Sequence, residues 1–347
     1  MMHAYFSDDQ LRHHGQTFMV AGEPKPTPEV PERAEILTTA VKRLGLDLRD
    51  PGDFGMGPIA AIHAPEYLKF LQTIHDEWKA AGGSDLVVPS IHPFDRMGPY
   101  PRSHIGKAGF HLGDTSCPVS KTTWQSSYAS AQAAIAAARD VRDHGQKSAY
   151  ALCRPPGHHA SRDIAGGFCY LNNSAIAAQE LRAKYDRVAI LDVDLHHGNG
   201  TQHIFYARDD VMTLSIHADP GDFYPFFWGH AEERGTGAGL GFNHNYPLPL
   251  GSGNDIFLAA LDRALSMIDH FSADAVVIAL GLDASQDDPF GGLAVTPDGF
   301  AEIGKKIGGI GLPTVLVQEG GYVSNTLAEN LFQFVSAFRA TIAESPE

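Results

Sequence analysis

The sequence predicts an α/β protein built on a parallel sheet, and three observations carry that prediction. Aliphatic runs recur at Ser148-Ala149-Tyr150-Ala151-Leu152, Arg187-Val188-Ala189-Ile190-Leu191, Ala275-Val276-Val277-Ile278-Ala279-Leu280 and Pro313-Thr314-Val315-Leu316-Val317. Runs this short and this apolar suit strands covered on both faces. Helix-length segments separate them, as βαβ units require. Each run also ends in a polar cluster, and open α/β sheets collect their ligands at the carboxyl ends of the strands.

The helical segments follow in order. Residues 32–44 open behind Pro31 and carry Ile36, Leu37, Ala40, Val41 and Leu44 at helical spacing. Residues 67–81 are similar, and 123–141 are Ala-rich behind Ser and Thr capping candidates. Residues 255–271 line up Leu258, Leu261, Leu265 and Ile268, while 297–310 and 326–343 complete the set. No repeat or low-complexity linker interrupts them, so 1–347 reads as one domain. Residues 82–117 are rich in Pro, Gly, His and Ser and predict an inserted lid, a binding loop or an oligomer contact. Residues 221–241 also read as loop, with Phe223, Tyr224, Phe226, Phe227 and Trp228 either lining a pocket mouth or packing beneath it.

Composition narrows the function. A 43% hydrophobic and 19% charged chain suits a compact enzyme. The net charge of −15 argues against a nucleic-acid partner, which wants clustered Lys and Arg. No apolar run approaches the ~20 residues of a membrane span, and Met1 to Asp9 lacks a signal-peptide pattern, so a cytoplasmic enzyme is expected. Cys117, Cys153 and Cys169 fit a reducing compartment and read as small core residues rather than nucleophiles.

The polar clusters carry the chemistry. Asp192-Val193-Asp194-Leu195-His196-His197-Gly198-Asn199-Gly200 follows the second run, and strand alternation there would point Asp194 and His196 to one face. With Asp283 behind the third run, these residues offer three metal ligands and leave a position open, the pattern of a catalytic zinc site. Two carboxylates acidify a bound water less than an all-His site would, so a separate base is expected, and His158-His159 supplies one. Gly320 and Gly321 allow close backbone approach, and Tyr322 places a phenol donor for a developing oxyanion. Taken singly, Asp283 would read as a helix cap and the His pair as surface or core residues; the combination is what points to a site. His197 faces away by alternation, and His203, His217, His230 and His244 read as structural or pocket-wall residues.

These motifs closely resemble the histone deacetylase superfamily, most of all its bacterial acetylpolyamine amidohydrolase branch. The matching stretches are Arg154-Pro155-Pro156-Gly157-His158-His159-Ala160, Gly166-Gly167-Phe168-Cys169-Tyr170-Leu171-Asn172-Asn173, Asp192 to Gln202, Leu280-Gly281-Leu282-Asp283 and Glu319-Gly320-Gly321-Tyr322. Phe6-Ser7-Asp8-Asp9 and Pro31-Glu32-Arg33-Ala34-Glu35 match more weakly. The resemblance implies an arginase/deacetylase-like three-layer fold with a central eight-stranded parallel sheet. It implies zinc at Asp194, His196 and Asp283, with iron(II) accepted by the same donors, and structural potassium at Asp192, Asp194, His196 and Ser215. It assigns His159 as general base and then acid, His158 as electrostatic partner, Asp192 and Asn199 as their supports, and Tyr322 as the carbonyl-polarising donor. Phe168 and Tyr224 would wall the acyl-amine chain, beside Gly167, Gly320 and Gly321.

The implied reaction is hydrolysis of a small N-acyl amine to acetate and free amine, in a homodimer. One departure bears on substrate. The rim positions that hold acidic residues in polyamine-specific members align with Phe18, Ile105 and Ser116, leaving Asp114 or Asp222 as substitutes. Neutral or xenobiotic amides are therefore the alternative substrates, and a non-catalytic ligand sensor is a more distant one. An arginase-like two-manganese site would need further Asp and His ligands.

Overall fold

The computed structural model describes residues 2–13 and 17–344. Its strands are β1 (His3–Tyr5), β2 (Thr17–Val20), β3 (Glu23–Pro26), β4 (Asp47–Arg49), β5 (Ser148–Ala151), β6 (Val188–Asp192), β7 (Val211–Ala218), β8 (Asn243–Leu248), β9 (Ala275–Leu280) and β10 (Thr314–Gln318). Eight of them form an all-parallel sheet in the order β4-β1-β5-β10-β9-β6-β7-β8, and β2 pairs antiparallel with β3 apart from it. The helices are α1 (Pro31–Arg43), α2 (Gly57–Ala60), α3 (Pro65–Ala80), α4 (His104–His111), α5 (Thr123–Asp143), α6 (Asn173–Leu181), α7 (Asn199–Phe205), α8 (Asn254–Phe271), α9 (Pro297–Gly308) and α10 (Leu327–Glu344).

Period-2 alternation divides the strand side chains between two apolar layers. Tyr150, Leu191, Ile278 and Leu316 pack on Leu37, Phe257, Ile303 and Phe334 from α1, α8, α9 and α10. Ala149, Ile190, Val277 and Val317 pack on Leu71, Ala134 and Ile176 from α3, α5 and α6. The three-layer prediction holds, and all four predicted strands lie at the centre of the sheet.

The structure also contains elements the sequence pattern hid. The 82–117 segment is not all loop, because α4 lies within it, opened by Ser103 accepting from the Gly106 N–H. Its two glycines weaken the helical pattern, yet Gly109 is required there: a Cβ would stand 2.0 Å from the Ile91 carbonyl oxygen. Strand β7 carries Thr213, Ser215 and His217 although every one of its residues is buried. Helix α6 is buried nearly all round and so shows no amphipathic stripe.

Candidate active site

The carboxyl ends of β5, β6, β9 and β10 meet at one place. Strand β6 stops at Asp192, so Asp194 and His196 lie on the turn beyond it, where strand alternation does not apply. That corrects the predicted geometry but not its outcome, because the turn folds the residues together. His196 Nδ1 lies 3.2 Å from Asp194 Oδ1 and 3.2 Å from Asp283 Oδ2. Asp194, His196 and Asp283 are buried, and their ligand atoms all fall within 4.8 Å of one another. Gly320 N–H closes the group by donating to Asp194 Oδ2 at 2.7 Å. A Cβ at Gly320 would sit 2.1 Å from Asp283 Oδ2, so glycine is the residue that fits.

Two converging buried carboxylates need a cation. Burial opposes charge on His196, but hydrogen bonds to Asp194 and Asp283 outweigh it and lift the imidazole to about 9. Burial and the neighbouring Asp194 raise Asp283. The donor set, two carboxylates and one imidazole, fits a catalytic zinc site.

The His pair stands beside this cluster. His158 Nδ1 pairs with Asp192 Oδ2 at 2.8 Å, and its Nε2 lies 3.7 Å from Asp194 Oδ1. Burial works against a charged His158, yet Asp194 and Asp192 together hold it well above the usual histidine range. His159 Nδ1 pairs with Asn199 Oδ1 at 2.7 Å. Burial, followed by the repulsion of His158 and His196, pushes His159 well below its usual value. An amide oxygen only accepts, so Nδ1 carries the proton and Nε2 keeps the lone pair. Gly167, at φ +50°, lies against the Cδ2 edge of the His159 ring, where a Cβ would clash.

Aromatic rings wall the site. Tyr224 meets His159 edge-on at 5.0 Å, Phe168 lies 6.0 Å from Tyr322, and Phe290 lies 4.9 Å from Tyr322. Phe223 stacks on His196 at 5.4 Å, whereas Phe226, Phe227 and Trp228 are exposed on the same loop. Burial drives the Tyr322 phenol well above its usual range, keeping it a proton donor. At the rim, Phe18 packs on Phe168 at 5.5 Å and Ile105 is exposed. Asp114 accepts from the Tyr224 hydroxyl at 2.6 Å, from Gly167 N–H and from Ser116 N–H. Asp222 is exposed on the loop.

Ser215 pairs in register with Asp192, and its hydroxyl bonds to His217. His197 turns away from the ligands to Gln202 and His217, as predicted. Cys117, Cys153 and Cys169 are buried, and burial raises all three thiols, which suits packing and not nucleophilic attack.

Four supporting residues escaped the sequence reading. Glu319 is wholly buried and accepts from Gly157 N–H, His158 N–H and the Ser174 hydroxyl. Arg33 donates to the carbonyls of Gly321 and Glu319 and pairs with Glu29. Asp288 accepts from Tyr322 N–H at 2.9 Å, and Phe290 packs between Tyr322 and His196. Glu319 and Arg33 both stood inside quoted motifs. Asp288 and Phe290 reach the site only through the loop after Asp283, which carries no periodic signal.

The chain resembles known proteins along nearly its whole length. Residues 27–338 match the histone deacetylase domain. An acetylpolyamine amidohydrolase of Burkholderia pseudomallei is 51% identical over 341 residues, covering 98% of this chain and 99% of that one. Acetylpolyamine amidohydrolase 1 of Pseudomonas aeruginosa is 45% identical, covering 97% and 99%. Among solved structures, an acetylpolyamine aminohydrolase from Burkholderia pseudomallei superposes with a TM-score of 0.95 at 50% identity, over 98% of this chain and 99% of that one. The HDA15 HD domain superposes with a TM-score of 0.77 at 26% identity, over 99% and 91%. With the domain match spanning most of its length, this chain belongs to the histone deacetylase family.

Proposed function

We propose that the protein is a zinc-dependent amidohydrolase that cleaves a small N-acyl amine, of the acetylpolyamine type, to acetate and free amine. The observation that carries this is the buried convergence of Asp194, His196 and Asp283 beside the His159–Asn199 pair. The chemistry a zinc ion supplies there is Lewis-acid polarisation of the amide carbonyl and acidification of the attacking water.

The chain's own groups do the rest. His159 takes the water proton on Nε2, because Asn199 fixes its other nitrogen as the donor. The same nitrogen then returns that proton to the leaving amine. His158, held charged by Asp192, stabilises the negative charge that develops nearby. Tyr322 donates its hydroxyl to the carbonyl oxygen as it gains charge, and Asp288 and Arg33 hold its backbone turn. Phe168 and Tyr224 flank the acyl chain and exclude bulky substrates. The acetylpolyamine amidohydrolase relatives, at near-full coverage, support the substrate class.

Structural potassium beside Asp192 and Ser215 belongs to the same reading, supported by a cavity of about 10 Å³ that these residues line. So do a single domain over the whole chain, a cytoplasmic location and a homodimer formed through the 82–117 segment, where Ile91, Phe94 and Met97 are exposed. Neutral amides are the second reading, favoured by the apolar rim at Phe18 and Ile105.

The test is acetate release by the metal-free and zinc-loaded protein from acetylated diamines, acetylspermidines, an acetyl-lysine peptide and a neutral amide. Zinc-dependent release, greatest for an acetylated amine, is expected. Zinc-loaded protein inert on every substrate would refute the reading.

A further inference from the structure

A cavity of about 530 Å³ lies on the far side of His159, Asn199 and Tyr224, bounded by the loop that carries Trp228 and Glu233. That volume suits a small organic group. None of the roles above uses it.

Its lining is chosen for a particular charge. Glu233 receives the Gln202 amide at 2.7 Å, Gly229 N–H at 2.9 Å and the Asn245 amide at 3.3 Å, all on Oε2. Its Oε1 takes no hydrogen bond among the described residues, so one charged acceptor site stays open. Asp114 adds a second carboxylate at the wall shared with Tyr224. Arg96, the one lining guanidinium, is matched by Asp163 at 2.8 Å and stacked 3.8 Å over Phe110. Its Nε and Nη2 are buried without a hydrogen-bond partner, and the carboxylates of Glu233 and Asp114 outnumber this one guanidinium in the lining. The Ser161 hydroxyl, 6% exposed as a residue and on the same wall, has no partner. Trp228 and Tyr206 complete the lining with aromatic surface, which attracts ammonium groups.

We propose that this cavity binds an alkylammonium group, with Glu233 as counter-charge, Trp228 and Tyr206 as aromatic walls and Ser161 as a hydrogen-bond acceptor. The proposal deepens the amidohydrolase reading and rests on it only for the identity of the amine. The lining shares His159, Asn199 and Tyr224 with the proposed active site but includes none of Asp194, His196 or Asp283, so the ammonium is either a substrate tail that bends past Tyr224 or a separate free amine. In the first case the cavity supplies the carboxylate that Phe18, Ile105 and Ser116 do not.

The test compares N-acetyl-1,4-diaminobutane with its uncharged isostere N-pentylacetamide, in wild type and in Glu233→Gln. Glutamine keeps an oxygen for the Oε2 donors and removes only the charge. The KM for the charged substrate should rise roughly ten-fold, the weight of one hydrogen bond to a charged group. KM for the isostere and kcat for both should stay within about two-fold. Trp228→Leu, at a half-exposed side chain, should move the same ratio in the same direction.

Calorimetry of 1,4-diaminobutane with wild type and Glu233→Gln separates two sources of the amine. Loss of diamine binding together with a shifted KM ratio assigns the site to the substrate's own tail. Loss of diamine binding at an unchanged KM ratio assigns it to a separate free amine. An unchanged KM ratio and unchanged diamine binding would overturn the proposal. If zinc-loaded wild type hydrolyses neither amide, the amidohydrolase reading fails, and diamine binding alone decides whether this cavity holds an ammonium.

Discussion

Replacing Glu319 by leucine and, separately, by glutamine tests whether this buried carboxyl builds the floor under the His pair. Its Oε2 accepts from Gly157 N–H at 2.6 Å and His158 N–H at 3.0 Å, and its Oε1 accepts from the Ser174 hydroxyl at 2.7 Å. Leucine strands two backbone donors and a hydroxyl with no route to water. At about 1–3 kcal/mol for each buried donor, Glu319→Leu should cost about 4 kcal/mol. Glutamine keeps a carbonyl oxygen for the two N–H groups and turns its amide toward Ser174, whose hydroxyl rotates to accept. That variant should cost about 1 kcal/mol at acid pH.

The pH dependence separates the variants further. Burial raises Glu319 from 4.5 to about 7. The unfolded chain therefore ionises first, and the contribution of Glu319 to wild-type stability, full below pH 4.5, falls as pH rises to 7. The span of about 2.5 units corresponds to about 3 kcal/mol. Glutamine does not titrate, so Glu319→Gln should close its deficit between pH 5 and pH 8. Urea denaturation of the metal-free proteins at both pH values measures this. Equal losses for glutamine and leucine, or a glutamine deficit that ignores pH, would refute the account.

Three other outcomes are expected. Tyr322→Phe should lower kcat about 100-fold with zinc content unchanged; full turnover measured beside metal analysis would remove the phenol from the mechanism. Asp283→Ala should lose both bound zinc and activity, and a variant that keeps stoichiometric zinc by elemental analysis would break the ligand assignment. His63, lowered by burial to about 4, accepts from Asn172 N–H and takes a proton later than the unfolded chain does. The contribution of His63 to stability should then be complete above pH 6.5 and fall by about 3 kcal/mol down to pH 4, a component of the pH slope that His63→Gln should remove in denaturant titrations.

The central half of the sheet was legible because β5, β6, β9 and β10 are aliphatic and end in groups that carry chemistry. The outer strands were not: β1 and β4 have three residues each, too few for a pattern, and β8 carries Asn243, His244 and Asn245. The convergence of Asp194, His196 and Asp283 beside the His pair was readable because the roles proposed for them demand particular residue types. Their supports were not, because a carboxylate such as Glu319 has no fixed spacing from the N–H groups it serves, which lie about 160 residues away. The cavity behind His159 was hidden for the same reason, since Glu233 and Ser161 meet only in three dimensions.

Arg33 shows why such supports sit where they do. Its guanidinium is wholly buried, donates to the carbonyls of Gly321 and Glu319, and pairs with Glu29 at 3.0 Å. Glu29 also pairs with Arg154 at 3.0 Å, so one carboxylate serves two buried cations. Burying this triad costs desolvation that apolar residues of similar size would avoid. Apolar replacements, however, would leave the Gly321 carbonyl without its donor and the Glu319 carbonyl with only the Gln318 amide at 3.4 Å. Between those carbonyls lies the Gly320 N–H that binds Asp194, and directly after them comes Tyr322. The turn ties Asp194, the proposed zinc ligand, to Tyr322, the proposed oxyanion donor, and a shift there of a few tenths of an ångström would misplace both. The charged triad therefore fixes the turn at a cost in stability that an ordinary core position would not bear.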